Sequence, residues 1–89
     1  MNNDQTDAEI LKDILEDLAD LVRQTRQSSK ELRQIELELK QALAQKQITQ
    51  FSFDIKAEQV RRSHQDIDFC LRSLDRQRKI CLEKLRELE

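Results

Sequence analysis

Residues 46–53 read KQITQFSF, and how the chain behaves there decides the fold. The segment holds two of the three phenylalanines and lies near the middle of 89 residues that otherwise read as helix. A straight passage through it gives one continuous long helix. A break gives two helices that fold back on each other. Ile48, Thr49, Phe51 and Phe53 are β-branched or aromatic, so local helix propensity falls here. Thr49 is placed to cap a following helix, with Ile48 and Phe53 as the flanking apolar pair, and Ser52 is an alternative cap. The expectation is a turn around residues 46–52.

Composition restricts the alternatives on either side of that segment. The chain has no Gly and no Pro, where ordinary usage gives roughly ten of the two together. A compact α/β or all-β domain needs those residues at its turns. Charged residues make up 38% of the chain, which alone would suit disorder, but leucines recur periodically and argue for helix. The start MNNDQTDAEI has neither a basic nor an apolar leader region, and no apolar run approaches the ~20 residues of a membrane span. These features suggest a cytoplasmic protein whose two cysteines, Cys70 and Cys81, are free thiols.

Thr6-Asp7-Ala8-Glu9 is a capping box that starts the first helix, and its acids suit the positive end of the helix dipole. One heptad row then holds Leu11, Leu18, Thr25, Leu32, Leu39 and Lys46. The other is expected to be Ile14, Leu21, Ser28, Ile35 and Ala42, with Leu15, Val22 and Leu43 widening the stripe. In the second half the rows are Phe53, Val60, Ile67, Leu74, Cys81 and Leu88, and Ala57, His64, Leu71, Arg78 and Leu85. The two frames do not match. A break explains that, and so does a stutter in a continuous coil.

Charge favours the break. Residues 1–20 hold seven acids and one base, whereas residues 72–86 hold six bases and two acids. If the chain reverses near residue 50, position i faces roughly position 100 minus i. The acidic first third then lies along the basic last third, with Leu11 near Leu88 and Leu39 near Val60. An antiparallel dimer of straight helices would satisfy the same pattern.

The reading is an all-α antiparallel two-helix hairpin, coiled-coil-like, completing a four-helix bundle by self-association or partner binding. Its parts are a disordered segment 1–5, helix 6–46, turn 47–52 and helix 53–89. His64, Cys70 and Cys81 fit no zinc spacing, and no glycine-built loop could form an oxyanion hole. No catalytic residue, cofactor or metal is therefore expected. The function expected is a non-enzymatic protein–protein interaction module: an adaptor, assembly chaperone or inhibitor. Its candidate contacts are Phe51 and Phe53 at the tip, with Leu37, Ile55, Phe69 and Ile80 on outer faces. The alternative is a dimeric nucleic-acid-binding regulator using Arg61, Arg62, Arg72, Arg76 and Arg78. The net charge of −2 and the lack of interleaved aromatics weigh against it.

Overall fold

The computed structural model describes residues 5–89. Two helices, α1 (Asp7–Ala44) and α2 (Gln50–Leu88), pack along each other as a hairpin 62 Å long and 22 by 17 Å across. The break in KQITQFSF is real, and the continuous helix is set aside. Most of the segment expected to be disordered, residues 1–4, lies outside the described range.

The turn is built without glycine. Helix α1 stops at Ala44, and Lys46 takes a left-handed conformation with φ 60°. Its amide donates to the Leu43 carbonyl at 3.0 Å, and the Gln47 amide donates to Ala42 at 2.8 Å. That pair of bonds is a Schellman closure, which satisfies two carbonyls the helix end would otherwise leave orphaned. Glycine usually holds this position because a Cβ there crowds the backbone. Lys46, expected on the apolar seam, is instead this turn residue. Helix α2 then begins at Gln50, three residues earlier than the sequence suggested, because Thr49 and not Ser52 is the cap. The Thr49 hydroxyl accepts from the Ser52 amide at 3.1 Å. At the other end the Thr6 hydroxyl accepts from the Glu9 amide at 3.2 Å, so the expected cap forms, and Glu9 reaches back to accept from the Thr6 hydroxyl at 3.3 Å.

The register is antiparallel and close to the one charge suggested. His64 Nε2 lies 3.8 Å from Glu36 Oε2, across the helix pair. At the open end Ile10 and Leu11 of α1 share a depression with Lys84 and Leu88 of α2. The inward residues of α2 follow the expected rows: Phe53, Ala57, Val60, His64, Ile67, Leu71, Leu74, Cys81 and Leu85. Arg78 and Leu88 belong to the same rows but are exposed, Leu88 because it is the last residue of α2.

Helix α1 differs. Its inward residues are Leu11, Leu15, Leu18, Val22, Thr25, Ser29, Leu32, Glu36, Leu39 and Leu43, alternating by four and three. Ile14, Leu21, Ser28 and Ile35, assigned to the seam from sequence, are exposed instead. The apolar stripe of α1 is three rows wide, and one partner helix covers only two rows. Thr25, on the seam, satisfies its hydroxyl on its own helix by donating to the Leu21 carbonyl at 2.7 Å.

The resulting core is thin. Among the described residues only Leu18, Val60 and Leu74 are buried. From Arg23 to Glu31, α1 contributes no apolar residue at all, which leaves a polar waist halfway along the hairpin.

Two predictions follow from this architecture. Lys46→Gly should stabilise the hairpin by about 0.5–1 kcal/mol, while Lys46→Val should destabilise it, both read from thermal unfolding followed by circular dichroism. An unchanged midpoint in both variants would mean that the left-handed turn carries no cost. Leu18→Ala should cost about 2 kcal/mol or more, whereas Leu37→Ala, on the exposed face, should stay within about 0.5 kcal/mol. Urea denaturation separates these values.

Candidate interaction surfaces

The two flanks of the hairpin differ in chemistry. On one flank, α1 presents Lys12, Ala19, Arg26, Arg33 and Lys40, and α2 presents Asp54, Arg61, Asp68, Asp75 and Leu82. Arg26 and Asp75 line a common depression on this side, together with Val22 and Arg78. Arg26 thus runs beside Asp75 and Arg33 beside Asp68, whereas Lys40 comes level with Arg61 and Ala19 with Leu82. The opposite flank is the side of the Ile10–Leu88 depression. There α1 presents Ile14, Leu21, Ser28, Ile35 and Ala42, and α2 presents Lys56, Ser63, Cys70, Gln77 and Lys84. Between its two end lysines, this pair of rows carries no charge.

A third surface lies on the back of α2. At 100° per residue, Phe51, Ile55, Phe69 and Ile80 fall within a stripe roughly 40° wide, opposite the seam. Phe51 and Phe69 are each 75% exposed, more than any other large apolar side chain among the described residues. Phe51 and Ile55 border a shallow depression with Asp54, Glu58, Gln59 and Arg62.

The six candidate contact residues therefore do not form one surface. Phe51, Ile55, Phe69 and Ile80 come together along α2. Phe53 does not join Phe51 at the tip: two residues further on is 200° around the helix, and Phe53 is half-buried on the seam row. Leu37 stands exposed on α1, away from that stripe. What the sequence reading missed is the row Ile14, Leu21 and Ile35. Its apolar character was plain, but its exposure depends on which side of α1 receives α2.

The arginines divide in the same way. Glu58 engages both Arg61 and Arg62, with Arg61 Nε donating at 2.9 Å and Arg62 Nε at 3.3 Å. Arg72, Arg76 and Arg78 are all exposed; Arg72 and Arg78 share a depression with Val22, Arg26 and Asp75, and Arg76 lies outside it. Cys70 is exposed and Cys81 half-buried, both as free thiols. Among the described residues, no three His, Cys, Asp or Glu side chains gather as a metal site would require, and no helix is long and apolar enough to cross a membrane.

The hydrogen bond from Arg61 holds the Glu58 carboxyl down at about 2, helped by the charges of Arg61 and Arg62 and opposed by partial desolvation. Because this pKa is depressed, the pairing is complete above pH 4.5 and fades as pH falls toward about 2. The pair is exposed to solvent, so its effect on stability is small. Carboxyl NMR titration should find the Glu58 midpoint well below the ordinary value of 4.5, and Arg61→Gln should return it toward that value. Compared with known proteins, the chain matches no family model, no curated relative and no solved structure.

Proposed function

We propose that this protein is a non-enzymatic interaction module of the cytoplasm, which docks on a partner protein through the back of α2. The observation that carries this reading is the pair of phenylalanines, Phe51 and Phe69, each 75% exposed and aligned with Ile55 and Ile80. Between Phe51 and Ile80 the stripe spans 29 residues, or roughly 43 Å of helix. Large aromatics left in water on an aligned face are the kind of side chain that anchors an interface when a pocket receives them. The fitting partner is a protein with an apolar groove or a pair of helices, which would receive α2 as helix-in-groove complexes do. Adaptor, assembly chaperone and inhibitor are all roles that such docking can perform.

The nucleic-acid reading has less support. Arg61 and Arg62 are already engaged by Glu58, and Asp75 stands between Arg72 and Arg78 in the depression those two share. Salt separates the two readings, because phosphate contacts weaken steeply with ionic strength and apolar contacts do not.

A photo-crosslinking residue at position 51 or 69, introduced in the native cells, tests the proposal. One discrete protein adduct from both positions is expected. The complex should persist at about 1 M salt, where exposed charges are screened. It should be lost from the Phe51→Ser/Phe69→Ser variant while helicity is retained. A complex that survives that double substitution would remove the α2 stripe as the docking surface. Recovery of nucleic acid that Arg72→Gln/Arg76→Gln abolishes would promote the other reading.

A further inference from the structure

The uncharged flank carries a second conclusion, independent of the α2 stripe. The chain exposes 7210 Å², whereas a compact protein of 10.6 kDa exposes roughly 5,500 Å². The excess, roughly 1,700 Å² per chain, is enough for a stable homodimer interface. It goes with the elongated 62 by 22 by 17 Å shape, and part of the uncovered surface is a row of apolar side chains of which Leu21 and Ile35 are each 46% exposed.

The pattern of that flank identifies its occupant. An isologous interface must be complementary to itself about a two-fold axis. The α1 row reads Ile14, Leu21, Ser28, Ile35, Ala42, apolar on both sides of a central serine. The α2 row reads Lys56, Ser63, Cys70, Gln77, Lys84, symmetric in character about a central cysteine. The two centres, Ser28 and Cys70, lie level with each other in the hairpin to within about one helical residue or two, given the Glu36–His64 contact. A single dyad through that level makes both rows self-complementary at once. We infer that a second copy of this chain covers this flank, with its tip at the opposite end, so that α1 lies antiparallel on α1 and α2 on α2.

In this arrangement Leu21 of each copy packs on Ile35 of the other, Ile14 packs on Ala42, and the two Cys70 thiols meet at the dyad. Turning the second copy so that both tips lie together would instead set Ile14 and Leu21 on Lys84 and Gln77. Charges at the rim oppose the chosen packing: Asp17 approaches Glu38, and Lys56 approaches Lys84. These groups stay in solvent, where like charges are screened, whereas apolar contact is gained in proportion to the area covered. The dimer is an all-antiparallel four-helix bundle, and it leaves the back of α2 free.

The test combines mass with thiol geometry. Light scattering of the full chain at about 100 μM should give twice the 10.6 kDa chain mass, and Leu21→Glu/Ile35→Glu should halve it. Phe69→Ser, on the back of α2, should leave the dimer intact. Copper-phenanthroline should rapidly convert the Cys81→Ser variant into a covalent dimer through Cys70. It should leave Cys70→Ser uncrosslinked, and it should bridge Leu21→Glu/Ile35→Glu far more slowly. The bridging reads the packing without any apolar substitution, so a charged variant that fails to fold does not blunt the test. A monomeric wild-type chain, a dimer indifferent to Leu21 and Ile35, one lost in Phe69→Ser, or one whose Cys70 thiols do not bridge would each overturn the inference.

Discussion

Everything in this molecule depends on the chain reversing between Ala44 and Gln50. Two amphipathic helices of 38 and 39 residues cover each other only if the link between them is short. The reversal is made by two hydrogen-bonding devices set end to end. A Schellman closure around Lys46 ends α1, and the Thr49 hydroxyl starts α2. Each satisfies backbone groups that a helix terminus leaves open. Four residues after Gln45 suffice, and the backbone conformation falls on a lysine because the sequence offers no glycine.

The reversal places an acidic helix end beside a basic one. Among residues 7–20 of α1, acids outnumber bases six to one, and the facing part of α2 is rich in arginine and lysine. These charges stand at the surface, so each pair contributes little alone. Their joint effect is on specificity: they favour this antiparallel pairing over a parallel one, where acids would stack on acids. Along the helices the same principle divides the flanks. One edge is charged on both helices, and the other is nearly charge-free.

Much of this was legible in the sequence. The rows of α2 could be read because two heptad positions stay mostly apolar from Phe53 to Leu85, while Phe51, Ile55, Phe69, Ile80 and Leu82 keep to no single row beside them. The cap at Thr49 could be read because its hydroxyl stands at the onset of a helical pattern, although Ser52 offered the same chemistry. Helix α1 was harder. Its stripe fills three positions, and which two of them face α2 is decided by where the turn delivers the second helix. Ile14, Leu21 and Ile35 were therefore assigned inward, and the structure puts Leu15, Val22 and Leu43 there. The end of α1 was hidden for a different reason. Lysine carries no signal for a left-handed residue, so Lys46 read as one more heptad position. Phe53 was ambiguous because it belongs both to the turn segment and to the seam row, and the seam claimed it.

The hairpin also sets an order of assembly. Near the turn, facing residues such as Leu43 and Ala57 are separated by 14 positions of chain, whereas Leu11 and Leu88 at the open end are separated by 77. Closing the longer loop from an unfolded chain costs roughly 1.5 kcal/mol more in entropy than closing the shorter one. Contacts near the tip therefore close first, and the helices zip toward the termini, with each layer shortening the loop left for the next. The zip must cross the waist from Arg23 to Glu31, where α1 adds no apolar contact to advance it. That waist divides the hairpin into a tip half and a terminal half, and makes the passage between them the natural barrier to complete closure.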